Sequence, residues 1–186
     1  ARYAGSRWSL ALPLNAVLCG PSDRGVAGMS ETQFVEFANR GFWAYDVALG
    51  VFLKHLVDAG EHPDYDEVRW VQDALPKWRT VIAVAGSGLG WQIDEGWSDG
   101  ESKLFLQLVA QATEQLASRE AITVDEMKQW SVFEGLDAVS RGAAVVKTAP
   151  IVELGQAIHR LLESSLPHPP EGKHWFYGTP SGRTFL

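Results

Sequence analysis

Residues 30–60 read SETQFVEFANRGFWAYDVALGVFLKHLVDAG, and the rest of the chain is most simply arranged around this stretch. Ser30 and Gln33 have the spacing of a capping box, which predicts a helix start, and Gly60 is a residue type that closes helices. Between these ends the apolar residues recur every three or four positions, as on one helix face: Phe34, Ala38, Phe42, Tyr45, Leu49, Phe52 and Leu56. The stretch therefore predicts one long buried helix, or two helices that meet at Gly41, because an interior glycine costs roughly 1 kcal/mol against alanine.

The composition is that of an ordinary globular domain with an acidic surface. The chain has 186 residues, of which 46% are hydrophobic and 21% charged, which is enough apolar material for one core. The net charge of −7 argues against a nonspecific nucleic-acid binder, which normally carries a basic face, and is compatible with a basic partner. No apolar run reaches the roughly 18 residues needed to cross a bilayer. We therefore expect no nucleic-acid partner and no membrane partner.

The first 28 residues raise a targeting question. Arg2 and Arg7 precede an apolar stretch that ends at Cys19, which resembles a secretory signal in outline. Leu18 is too large for the position before a cleavage point, so we expect residues 1–28 to form a structured N-terminal arm instead. Cys19 is the single cysteine, so no intrachain disulfide can form, and this favours a reducing, cytoplasmic location.

Four further helices are predicted after the central one. The second helix has a capping residue at Asp64 or Asp66 and a kink or a fresh start at Pro76, and the third starts at Ser98 or Asp99 and runs to Ala117. The fourth has a capping box at Thr123 and Glu126 and ends near Gly142, and the fifth has Pro150 in its first turn. Residues 143–149 fit either a short strand or a helical turn. The aromatic tail, residues 166–186, fits a short β-hairpin that packs back on the domain. The fold class expected is all-α (mainly helical), a single domain over 1–186 with about five helices around 30–60.

A dinucleotide fold is a weak alternative for residues 80–90, TVIAVAGSGLG. The run is β-branched and leads into Gly86, Gly88 and Gly90, but Trp91 stands where the fingerprint needs its third glycine. No alternation of strands and helices follows it. We therefore expect a helix end and a glycine-rich loop there, without a phosphate site.

The polar loop at residues 86–102 is the best candidate for a small-ligand site. It combines tryptophans with carboxylates: Trp91, Asp94, Glu95, Trp97, Asp99 and Glu101. Sugar-binding and sugar-cleaving sites use aromatic platforms and paired carboxylates. The simpler interpretation is a solvated loop in which Ser98 and Glu101 cap the next helix.

No residue pattern predicts catalysis, a metal ion or a cofactor. His55, Asp58, Glu61 and His62 lie near one helix end, but without the spacing of a known metal motif, and a solvated helix end explains them. Cys19 is more simply a small buried apolar residue than a nucleophile. Ser87 lacks the glycine pattern and the sheet of a nucleophile elbow.

These observations favour a non-enzymatic helical protein that binds another macromolecule, of an immunity, antitoxin or regulatory type. The tail aromatics Trp175, Phe176 and Tyr177 are the predicted contact with a protein partner. The alternative function is a small-molecule or carbohydrate binder, or a hydrolase, that uses the loop at 86–102. A third option is a subunit of a homo-oligomer, because five amphipathic helices have more apolar surface than one core readily buries.

Overall fold

The structure, a computed structural model, describes residues 32–83, 90–130 and 143–186. Within these ranges the strands are β1 (Thr32–Phe37), β2 (Arg40–Tyr45), β3 (Trp91–Gln92), β4 (Ala121–Thr123), β5 (Val145–Lys147), β6 (Trp175–Tyr177) and β7 (Thr184–Phe185). The helices are α1 (Asp46–Gly60), α2 (Arg69–Ala83), α3 (Asp99–Ala117), α4 (Val124–Met127) and α5 (Ala149–Leu162), with a 3₁₀ turn at Pro63–Tyr65. The fold is therefore α+β, and the all-α prediction is wrong.

The error lies in the first half of the predicted central helix. Residues 32–45 form an antiparallel β-hairpin, in which Gln33 lies opposite Ala44 and Val35 opposite Phe42. Gln33 is a strand residue, so it cannot complete a helix cap with Ser30, which lies outside the described residues. The glycine expected to kink a helix, Gly41, is in β2.

The hairpin has a local cause in its turn. Ala38 and Asn39 have φ values of 50° and 57°, and two successive positive φ values are the mark of the tight turns that join paired strands. Gly41 is needed because the Phe34 ring lies over it: a β-carbon there would come within 2.7 Å of Phe34 Cε1 and 2.3 Å of the Val35 oxygen. Phe34 and Gly41 are thus diagonal neighbours on the two strands, since Phe34 lies directly opposite Trp43 and Gly41 opposite Glu36.

Five of the described strands form one mixed sheet in the order β3–β1–β2–β6–β7. β3 runs parallel to β1, β6 runs parallel to β2, and β7 runs antiparallel to β6. The last pairing confirms the hairpin expected in the tail. β4 and β5 form a separate antiparallel pair, which assigns the ambiguous segment 143–149 in part to a strand.

Helix α1 keeps the central role that the sequence assigned to a longer element. It contacts α2, α3 and α5, and most of its side chains are buried. Helix α5 contacts β1, β2 and β6, so the helices cover one face of the sheet. Gly60 is the last residue of α1 as predicted, but without the left-handed conformation expected of it. It packs closely instead: a β-carbon there would lie 3.0 Å from Leu75 and 3.2 Å from Val71 of α2.

The remaining helices follow their sequence signals only in part. α2 begins at Arg69, so neither Asp64 nor Asp66 caps it; both belong to the 3₁₀ turn and its end. α3 begins with the predicted capping box, in which Ser98 and Glu101 satisfy each other's backbone N–H groups, and Pro150 lies in the first turn of α5. The fresh start expected at Pro76 does not occur, because α2 runs through this residue. α4 begins after Thr123 as predicted, and the structure describes one turn of this helix, Val124–Met127. The end predicted near Gly142 lies in residues 131–142, which are outside the described ranges.

No helix within the described ranges combines the length and the apolar character that crossing a bilayer requires.

Candidate functional site

A groove of about 290 Å³ lies between α2 and the segment that carries β3. We call it the tryptophan groove. Eight aromatic and charged residues line it, together with other residues. The eight are four tryptophans and four charged residues: Trp70, Trp78, Trp91, Trp97, Asp73, Lys77, Asp94 and Glu101. This volume lies at the lower end of the range for ligand pockets and suits a single side chain or a small ligand.

One wall of the groove is a single stripe of α2. Trp70, Asp73, Lys77 and Val81 are three or four residues apart, so they project from the same side of the helix. The adjoining side of α2 carries its buried residues, such as Val71 and Leu75, and the buried Ala74 and Trp78 lie where this side meets the groove. The helix therefore holds the groove wall rigidly against the domain.

The tryptophans are positioned by one buried ring, Phe105 of α3. The Trp97 and Trp78 rings lie 4.6 and 5.7 Å from it, and the other two tryptophans lie just beyond 6 Å. Trp78 and Trp91 are buried by this packing. Trp70 and Trp97 are half-buried and meet at nearly a right angle, 5.1 Å apart, so part of each indole remains available at the groove surface.

The other wall is fixed to the β1–β2 hairpin. Trp91 pairs with Val35 of β1, and Gly90 before it lies so close that a β-carbon would come 2.7 Å from the Phe34 oxygen. Glu95 Oε1 accepts a hydrogen bond of 2.9 Å from the backbone N–H of Ala38 in the hairpin turn. The wall is therefore formed before any ligand arrives.

The carboxylates of the groove differ in how much they are already engaged. Asp94 Oδ1 accepts a hydrogen bond of 2.8 Å from the Gly96 N–H, and Glu101 accepts hydrogen bonds from the N–H and hydroxyl of Ser98. Asp73 makes a looser ion pair with Arg69, at 3.7 Å, and 69% of its side chain is exposed. Asp73 is thus the carboxylate of the groove that can turn most easily toward a ligand.

The structure brings together only some of the loop residues predicted as a site. Trp91, Asp94 and Trp97 line the groove. Glu95 is engaged by the hairpin turn, and Asp99 is exposed in the first turn of α3 and does not line the groove. The segment predicted as one irregular loop also contains a strand, β3, and the start of α3.

The tail aromatics occupy a separate place, because β1 and β2 lie between β3 and β6 in the sheet. Tyr177 is only 1% exposed and packs edge-on against Phe42, with 4.9 Å between ring centres. Trp175 Nε1 donates a hydrogen bond of 2.9 Å to the Pro167 oxygen, and Phe176 is partly buried beside β2. Tyr177 and Trp175 are held by these contacts within the sheet and its hairpin. None of the three tail aromatics reaches the tryptophan groove.

Sequence analysis missed the α2 side of the groove. Trp70, Asp73 and Lys77 are not among the predicted site residues. The signal available for them was a stripe of the helix with a tryptophan, an acid and a lysine at helical spacing. Only the pairing of β3 with β1 shows which loop faces this stripe.

The candidate metal ligands at the end of α1 do not come together. Within the described residues, no three or more His, Cys, Asp or Glu side chains form a group that could hold a metal ion. His55 is buried, and its Nδ1 is 2.9 Å from the Val51 oxygen, so the solvated helix end predicted for it is wrong. Glu61 pairs with Arg79, and His62 lies 3.3 Å from Asp64.

A second cluster of charged groups lies around His55, outside the groove. Burial lowers the pKa of His55 below its ordinary value, and the hydrogen bond to Val51 opposes this only in part. The two terminal guanidinium nitrogens of Arg119 donate to the carboxylate of Glu126, which lowers the pKa of Glu126 and raises the pKa of Arg119. The Arg119–Glu126 pair joins the turn after α3 to α4.

Comparison with known proteins gives no match to a protein-family model, to a curated protein or to a solved structure.

Proposed function

We propose that the protein is a non-enzymatic binding protein and that the tryptophan groove receives a basic side chain of a partner protein. One observation carries the proposal: the partly exposed indoles of Trp70 and Trp97 meet beside three carboxylates and a single lysine. A lysine or arginine that enters such a groove contacts aromatic faces and carboxylates at once. The overall charge of −7 favours the same kind of partner.

The expected binding free energies are large enough for the groove to recognise a basic side chain. A cation over a tryptophan face contributes about 0.5–2 kcal/mol, depending on how far it is desolvated. A charge-assisted hydrogen bond to a carboxylate adds about 1.5–3 kcal/mol. Binding of one side chain would therefore be weak by itself and would depend on further contacts with the partner.

The engagement of the carboxylates favours binding over hydrolysis. Glycoside hydrolysis needs two carboxyl groups that face the same bond from opposite sides. Asp94 and Glu101 instead accept hydrogen bonds from their own turn and helix cap. They are suited to giving the groove a fixed negative field.

The proposal is tested by titration of the protein with N-acetyl-arginine amide, followed by intrinsic tryptophan fluorescence. We expect saturable quenching that weakens at higher salt and is reduced about three- to tenfold in affinity by Asp73→Asn. Asp125→Asn is the matched control, because Asp125 is 91% exposed on α4 and does not line the groove. Unsaturable quenching, or equal affinity in both variants, would contradict the proposal.

A carbohydrate is the second candidate ligand, supported by the same partly exposed indoles of Trp70 and Trp97. Sugars stack on tryptophan and donate hydroxyl hydrogen bonds to carboxylates. The same titration with neutral mono- and disaccharides separates the two: a sugar would bind with little dependence on salt.

A further inference from the structure

Strand β3 is an edge of the five-stranded sheet, and this edge opens into the tryptophan groove. β1 pairs with β3 on one side, and within the described residues no strand pairs with it on the other. The stripe of α2 that carries Trp70 and Asp73 stands across the groove from this edge. The groove is thus bounded by a helix and by an unpaired strand edge.

The backbone of Gln92 faces this open edge. The N–H of Ile93 donates a hydrogen bond of 2.9 Å to Glu36 of β1. In a parallel pair, alternate residues direct both backbone groups to the same neighbour, so the N–H and C=O of Gln92 point away from β1. Within the described part of the chain neither group has a hydrogen-bond partner, and the Gln92 side chain is exposed.

A groove between a helix and an edge strand is one in which extended peptides bind by adding a strand to the sheet. The backbone of the edge gives affinity, and pockets for alternate side chains give specificity. Here the pocket beside the edge carries the indoles of Trp70 and Trp97 and the carboxylates of Asp73 and Asp94. An arginine or lysine that faces the groove would meet both groups.

We infer that the tryptophan groove binds an extended basic segment of the partner protein, which pairs with Gln92 as an added strand and inserts one basic side chain. The inference rests on the proposed function and adds the conformation of the ligand and its backbone contact. The contact needs no rearrangement of the edge, because Gly90 and the hydrogen bond from Ala38 to Glu95 already hold β3 against the hairpin.

The inference predicts a dependence on the peptide's own backbone. The probe is an acetylated, amidated hexapeptide that alternates arginine and valine, compared with two versions N-methylated either at every arginine or at every valine. In an extended strand, alternate N–H groups point to opposite edges, so only one set can face Gln92. We expect one methylated peptide to bind about tenfold more weakly by fluorescence titration and the other to bind within about threefold of the parent.

The outcomes separate this inference from the proposed function. If the parent peptide binds and both methylated peptides bind equally, whether at the parent affinity or equally weakened, strand addition is overturned and basic side-chain binding stands. If N-acetyl-arginine amide binds but the parent hexapeptide does not, strand addition is again overturned. If neither binds, the proposed function fails as well. A second measurement is hydrogen exchange at the Gln92 amide, which we expect to slow about tenfold with the parent peptide; an unchanged rate contradicts the inference.

Discussion

At Ala38 the backbone takes a φ of 50°, a conformation that alanine adopts rarely and asparagine more readily. The same residue donates its N–H to Glu95, so the strained turn also anchors the wall of the tryptophan groove. Asn39, which follows it with a φ of 57°, is a residue type suited to this conformation. The conformational strain of the turn is therefore concentrated at Ala38.

Replacing Ala38 should show this cost directly. We expect Ala38→Asn to raise the free energy of unfolding by about 0.5–1 kcal/mol, because asparagine tolerates the positive φ and keeps the N–H donor. Ala38→Val should lower it by at least about 1 kcal/mol, because a β-branched side chain disfavours this region. Urea unfolding of both variants measures the effect. A less stable asparagine variant would contradict the assigned turn.

His55 should make stability depend on pH. Its pKa is lowered in the folded protein, chiefly by burial, below the ordinary value of 6.5 that applies when the chain is unfolded. The neighbouring Lys54 and Arg119 act in the same direction, and Asp58 opposes them. A lowered pKa means that the folded state favours the neutral imidazole. The contribution of His55 to the free energy of unfolding is therefore complete above about pH 7 and is lost as the pH falls below about 6.5.

The measurement is denaturant unfolding across pH 5–8, with His55→Gln as the comparison because glutamine does not titrate. We expect the wild-type free energy of unfolding to fall with pH in this window and the variant to show a smaller slope. Glu126, whose pKa is lowered by Arg119, contributes at more acidic pH and leaves this window largely unaffected. Equal slopes in both proteins would rule out the assigned state of His55.

At the scale of elements, the crossing of α3 and α5 depends on one glycine. A β-carbon at Gly155 would lie 2.4 Å from Thr113 Oγ1 and 2.9 Å from Phe52, so the helices can approach this closely only without a side chain there. Thr113 is held in this position because its hydroxyl donates a hydrogen bond of 2.7 Å to the Val109 oxygen.

We expect Gly155→Ala to lower the free energy of unfolding by about 1–3 kcal/mol, although alanine is the better helix former. Adding Thr113→Ala should recover part of the loss, since it removes the nearest atom. Gly100→Ala in the first turn of α3 is the matched control, because its nearest neighbour is 4.0 Å away, and it should be neutral or slightly stabilising. Thermal unfolding compares the three; an equal loss at both glycines would contradict this account of the crossing.

Elements with a clear local signal in the sequence were predictable, and the β1–β2 hairpin, although local, gave no such signal. The capping box at Ser98 and the proline at Pro150 mark α3 and α5 within a single turn of sequence. The β1–β2 hairpin was misassigned because its strands do not show the alternation of apolar and polar residues that is typical of a half-buried strand. Gln33 occupies the buried face of β1, and aromatic residues occupy both faces of β2, so neither strand shows a clear period of two.

At the scale of the whole molecule, the groove depends on contacts that no local pattern encodes. Trp91, Asp94 and Trp97 were identified from composition, because tryptophans and carboxylates are adjacent in one loop. Trp70 and Asp73 join them only through the pairing of β3 with β1 and the packing of both walls on Phe105. The place of the tail aromatics depends on a similar long-range contact, since β6 pairs with β2 more than a hundred residues earlier, and their role in binding a partner stays a prediction.

The account centres on the tryptophan groove as the place where a partner binds, and a ¹⁵N-resolved NMR titration with the arginine–valine hexapeptide tests it most directly. We predict shifts concentrated at the Gln92 amide and at the indole N–H groups of Trp70 and Trp97. Shifts confined to Phe176 and the tail, with the groove signals unchanged, would contradict the account.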